Sequence, residues 1–96
     1  MYDFDSLLDY ISKLDNDDLK DFMVGITTDT ERSELAKRFQ IVLRLLDGQP
    51  QLKIAKDLNV GIATVTRGSK ELQGGRFKAL KRQRIDSEGA RDRWRR

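Results

Sequence analysis

Residues 51–72, QLKIAKDLNVGIATVTRGSKEL, decide the fold. Ile54, Ala55 and Leu58 fall on one side of a first short helix, and small Ala55 leaves room for a second helix to approach. Asn59-Val60-Gly61 has the chemistry of a tight turn, because Asn and Gly tolerate positive φ and Val60 can plug the junction. In the second helix Ile62, Val65, Ser69 and Leu72 share an inward side, while Ala63, Thr66 and Lys70 share the outward one. The expectation is a helix-turn-helix. Small and hydroxylated side chains on the outward face suit close entry into the major groove of DNA. An ordinary αα-hairpin would show the same inward pattern.

Upstream, Thr28 and Glu31 form the T-x-x-E capping box that opens a longer helix, and Asp47-Gly48 closes it at a glycine able to take the left-handed conformation. Leu35, Phe39, Val42 and Leu46 fall on one stripe of that helix, broadened by Ile41, Leu43 and Leu45. Arg38 lies inside this apolar arc. A charge on a face expected to be buried needs a partner, so Arg38 either reaches water or pairs with an acid from another helix. Further upstream, Phe4, Leu7, Leu8, Ile11 and Leu14 recur at helical spacing over residues 4–14. Leu19, Phe22, Met23 and Ile26 do so in a second short helix after Asp15-Asn16. No stretch alternates like a strand, so the class is all-α, a small helical domain.

Downstream of Leu72, Gly74-Gly75 interrupts the chain. The remainder, 76–96, reads as a basic, flexible tail, in which Arg76 to Arg84 has the makings of a helical turn or two around Phe77 and Leu80. The expected division is therefore a helical dimerisation and helix-turn-helix domain over 1–75, with its reading head at 51–72, and the tail beyond.

Charge is divided unevenly. Residues 1–31 sum to −7 and the rest to +10, within a total of +3 over 96 residues. One part would be repelled by a phosphate backbone and the other attracted, the pattern of a nucleic-acid reader with a separate assembly region. The chain has no Cys and no His. That removes disulfides, zinc fingers and Cys- or His-based catalysis, so neither an enzyme nor a metal site is expected. The acidic start is unlike a secretory signal, and no apolar run approaches a membrane span, so a cytoplasmic protein is expected.

The run Gly61-Ile62-Ala63-Thr64-Val65-Thr66-Arg67-Gly68-Ser69 closely resembles the recognition helix of the tryptophan repressor family, itself a standard example of the motif. Thr28 to Arg32 resembles the start of that family's long central helix, and Arg38, Ile41-Val42 and Leu45-Leu46 through Gly48 its body and end. The resemblance covers about residues 25–72. It implies an intertwined homodimer that binds a palindromic double-stranded DNA operator, with L-tryptophan as a corepressor ligand rather than a cofactor. By the same resemblance, Arg38 and Arg67 would sandwich the indole, each cation–π contact contributing about 0.5–2 kcal/mol. Thr28 would hold the polar end, and Thr64 and Gly68 would line the pocket.

Glu71 stands where the family carries a small hydroxyl residue near the ligand's amino group, and a carboxylate there can pair with an ammonium. Gly25 and Thr27 replace leucines offered to the ligand. The ligand set is thus Thr28, Arg38, Thr64, Arg67, Gly68 and Glu71. The DNA-facing set is Gln51, Lys53, Lys56, Gly61, Ile62, Ala63, Thr64, Thr66 and Lys70. On the helical wheel alone Arg67 borders Ala63, which leaves open a contact to phosphate instead. Two other readings stand beside the ligand-gated repressor: a ligand-independent helix-turn-helix regulator, and a protein-interaction module whose acidic helices bind a partner.

Overall fold

A computed structural model describes residues 3–88, and these form six helices: α1 (Phe4–Ile11), α2 (Asn16–Ile26), α3 (Asp29–Leu46), α4 (Gln51–Leu58), α5 (Ile62–Gln73) and α6 (Lys78–Glu88). There is no strand among the described residues, in agreement with the all-α expectation. Two compact units divide the chain between Glu34 and Leu35.

The first unit holds α1, α2 and the opening of α3. Asp3 caps α1 by accepting the Ser6 N–H at 2.8 Å, and hydrogen bonding from Ser6 holds the Asp3 carboxyl below the ordinary carboxylate value. Asp15 caps α2 in the same way through Asp18 N at 2.9 Å. The first helix is shorter than the 4–14 periodicity suggests. Ser12 turns its hydroxyl back to Asp9 O, and Leu14 N bonds Ile11 O, so the chain tightens into a turn after Ile11.

The capping box at α3 is complete. Glu31 N donates to Thr28 Oγ1 at 3.1 Å, and Thr28 N donates to Glu31 Oε1 at 2.9 Å. Arg32 closes the other side of this junction by donating to the carbonyls of Val24 and Thr27 at the end of α2. Tyr10 and Phe22 stack obliquely, with ring centroids 5.1 Å apart. Even so, α1 and α2 contain no buried residue, and Phe4, Leu8, Tyr10, Val24 and Ile26 stay exposed.

The second unit contains the core: Ile41, Val42, Leu45 and Leu46 of α3, Ile54 and Ala55 of α4, Val65 and Leu72 of α5. Leu58, Val60 and Leu80 pack against it. Three helices end in the same way, with a left-handed residue followed by a backbone bond reaching back five residues. Gly48 (φ 82°) precedes Gln49 N→Arg44 O, Asn59 (φ 54°) precedes Val60 N→Ala55 O, and Gly75 (φ 97°) precedes Arg76 N→Glu71 O.

The helix-turn-helix expectation thus holds over α4 and α5, with two corrections. Gly61 does not take positive φ; it is the extended residue before α5 (φ −68°), and Asn59 alone supplies the left-handed step of that turn. Ile62 is exposed rather than inward. A helical side chain leans over the turn that precedes it, and at the first residue of α5 no such turn exists.

Residues 78–88 are helical, so the one or two turns anticipated around Leu80 belong to a longer helix. Basic side chains anchor it: Lys81 Nζ donates to Leu72 O at 2.6 Å, and Arg84 Nη2 pairs with Asp47 Oδ2 at 2.9 Å. The part of the expected tail from 89 to 96 lies outside the described residues.

Candidate functional site

Between the second half of α3 and α5, within the second unit, lies a cleft of about 860 Å3. That is within the roughly 300–1,000 Å3 of small-molecule sites. Its α3 wall is Leu35, Arg38, Phe39, Ile41 and Val42, its α5 wall Ala63, Thr64, Arg67, Gly68 and Glu71, and Arg76, Phe77 and Leu80 close one end.

The walls are so placed because α5 crosses α3 at Gly68. A Cβ there would stand 3.2 Å from Ile41 Cγ2 and 3.5 Å from Leu45 Cδ1. The missing side chain lets α5 settle against α3, and the flank carrying Thr64, Arg67 and Glu71 then borders the opening. Arg67 therefore lines the cleft, on the wall opposite Arg38, and is itself exposed.

Arg38 does not lie in the core; it is exposed, at the cleft. Leu35 and Phe39, expected on the buried stripe, are 46% and 51% exposed and form cleft wall instead. Among the described residues neither Arg38 nor Arg67 has an ion-pair partner. Glu71 does have one, with Oε2 3.7 Å from Arg76 Nε. Thr28 belongs to the first unit, where its hydroxyl caps α3.

Of the residues expected to face DNA, Lys53, Lys56, Gly61, Ile62, Ala63, Thr64 and Lys70 are exposed. Gln51 and Thr66 are half-buried and bonded to each other, Thr66 Oγ1 to Gln51 Oε1 at 2.8 Å, which ties the start of α4 to α5. Lys53 Nζ lies 2.7 Å from Asp57 Oδ2, and Arg44 Nη1 approaches the same oxygen at 3.5 Å. The hydrogen bond from Lys53 is the main reason that the Asp57 carboxyl is held below its ordinary value; desolvation opposes it, and the charges of Lys53, Arg44 and Lys56 add smaller lowering effects. Thr64 belongs to both expected sets, and Ala63 and Thr64 are both exposed at the start of α5 and both border the cleft.

Sequence reasoning missed Arg76, Phe77 and Leu80 as cleft residues. Arg76 and Phe77 were read as the start of a tail, and no local signal announces that Phe77, a non-glycine residue, takes φ 62° at the edge of the cleft. Among the described residues no group of His, Cys, Asp or Glu is arranged to hold a metal ion. No described helix is long and apolar enough to cross a membrane.

The sequence matches the family model described as Trp repressor protein over residues 2–83, extending past the 25–72 region of the motif resemblance. It is similar to proteins named Trp operon repressor homolog in three organisms. In Vibrio campbellii the identity is 41% over 63 residues, covering 65% of this chain and 63% of that protein. In Mannheimia succiniciproducens it is 42% over 55 residues, covering 56% and 54%. In Pasteurella multocida it is 33% over 76 residues, covering 76% and 74%. The matched stretch is thus under two thirds of the length of the first two relatives. No solved structure matches the chain significantly. With a family match spanning most of its length and a helix-turn-helix set against an arginine-flanked cleft, the chain belongs to the Trp repressor family.

Proposed function

We propose that this chain is a cytoplasmic transcriptional repressor that binds a palindromic DNA operator as a homodimer and takes L-tryptophan as corepressor. The observation that carries the reading is the position of Arg38 and Arg67 on the two walls of one cleft, with no acid paired to either among the described residues. Two guanidinium planes beside an apolar lining suit a flat aromatic ring, and their charge suits a carboxylate. The exposed outward side of α5 is small and polar, as entry to a major groove requires.

Dimerisation is supported by α1 and α2, which hold no fully buried residue and leave Phe4, Leu8, Tyr10, Val24 and Ile26 exposed. Covering them with a second copy would remove apolar surface from water at about 25 cal/mol per Å2. The acidic balance of this region keeps it away from DNA, while the basic remainder supplies the phosphate contacts.

Isothermal titration with L-tryptophan, and operator binding measured with and without it, test the reading. The expected results are saturable heat and tighter DNA binding in the presence of the ligand. Arg38→Ala should abolish the ligand response while leaving the thermal midpoint within a few degrees, because Arg38 is exposed. Ligand-independent DNA binding would identify a constitutive regulator instead, and absence of DNA binding at low salt would leave the protein-interaction reading.

A further inference from the structure

The connection from α5 to α6 makes two left-handed steps, at Gly75 (φ 97°) and at Phe77 (φ 62°). Glycine takes such angles freely, whereas a Cβ is resisted there and a bulky residue is rare. Phe77 lies between two backbone hydrogen bonds, Arg76 N→Glu71 O at 2.9 Å before it and Lys81 N→Phe77 O at 3.0 Å after it. Core packing does not explain the choice of residue. Leu80, one turn further on, packs against the core, while Phe77 is 40% exposed and borders the cleft. A bulky residue kept in a strained conformation at the edge of a cavity points to a contact made across that cavity.

We infer that Phe77 contacts the ligand and sets which ring systems the cleft admits. The inference rests on the reading of the cleft as the site of an aromatic amino acid. On that reading a flat ring lies between Arg38 and Arg67, which cover its faces and leave its edge open. Beside Arg76, which is paired with Glu71, the end of the cleft offers that edge the apolar surfaces of Phe77 and Leu80. Aromatic rings that meet edge to face or offset attract beyond the area they bury. The backbone bonds on either side fix where the Phe77 Cβ stands, which limits how far its ring can withdraw. The same residue is therefore also a stop, and a bulky substituent on the outer edge of the ligand's ring meets Phe77 rather than water.

The test is calorimetric titration of the full chain with L-tryptophan and with L-tryptophans brominated at ring carbon five, six or seven. At least one brominated compound should bind the unaltered protein about tenfold more weakly than L-tryptophan. Phe77→Ala should weaken L-tryptophan by about fivefold and bring that compound within about twofold of it. Phe77→Gly should bind in the same way as Phe77→Ala, yet melt about 4 °C or more above it, because glycine relieves the left-handed strain. Amide exchange over residues 78–84 should stay as slow in Phe77→Gly as in the unaltered protein. If the variants bind all the compounds in the unaltered ratios, or if the two variants melt together, Phe77 is not the stop and the amino-acid site stands without it. Faster exchange in α6 accompanying the lost binding would show that Phe77 only seats that helix, and the inference falls. If L-tryptophan does not bind the unaltered protein, the amino-acid reading fails and this inference fails with it.

Discussion

Gly68 of α5 faces Ile41 of α3 so closely that a Cβ on Gly68 would stand 3.2 Å from Ile41 Cγ2. Ile41 is only 2% exposed and has little room to retreat. Gly68→Ala gains about 1 kcal/mol of helix propensity but overpacks this crossing, which costs about 1–3 kcal/mol. The expected outcome is a net loss of about 1 kcal/mol in urea unfolding, with weaker binding of L-tryptophan because the two walls are pushed apart. An unchanged or raised stability would mean that α5 and α3 are less tightly seated than this contact requires.

Asn59 carries the left-handed step between α4 and α5. A residue with an ordinary Cβ pays about 1–2 kcal/mol there, and glycine does not. Asn59→Ala should therefore lower the thermal midpoint, whereas Asn59→Gly should leave it nearly unchanged. Both variants should keep the same far-ultraviolet spectrum at low temperature.

Asp57 joins the two halves of its surroundings electrostatically, taking Lys53 at 2.7 Å and Arg44 at 3.5 Å. Its carboxyl titrates lower in the folded chain than its ordinary value of 3.8. The resulting stabilisation is fully present above that value and is lost as pH falls through the depressed folded value. Asp57→Asn should accordingly show a smaller drop in urea midpoint between pH 6 and pH 3 than the parent. It should also release Lys53 toward phosphate, steepening the salt dependence of DNA binding by about one unit of slope.

Arg84 and Asp47 join α6 to the end of α3 at 2.9 Å, with both side chains about a third exposed. Arg84→Gln should cost about 1 kcal/mol, the usual worth of such a bond. Amide exchange over residues 78–84 should accelerate more than exchange in α4 or α5. Uniform acceleration across the unit would show instead that α6 opens only with the whole core.

The ends of α3 and the close of α4 are legible in the sequence because their chemistry is local. Thr28 and Glu31 cap each other, and Gly48 and Asn59 accept backbone angles that other residues resist. The core of α4 and α5 was legible too, since Ile54, Val65 and Leu72 repeat at helical spacing. Periodicity reports only that a face is apolar, however, and Leu35 and Phe39 satisfy it equally as core or as cleft wall. The direction of Arg67 depended on how α5 rolls against α3, a tertiary fact set by the absence of a side chain at Gly68. Phe77 was hidden for a different reason. Its left-handed backbone (φ 62°) leaves no mark on its own residue type, since phenylalanine has no preference for that region.

Ala63 and Thr64 belong at once to the cleft and to the exposed leading turn of α5. On the proposed function, substitution at either position edits two vocabularies together, that of the small molecule admitted and that of the surface offered outward. The same reading leaves two separate routes to change, one toward a new ligand through Glu71 or Arg76 and one toward a new DNA sequence through Lys53, Lys56 or Lys70. Any route through the first turn of α5 must satisfy both demands in a single step.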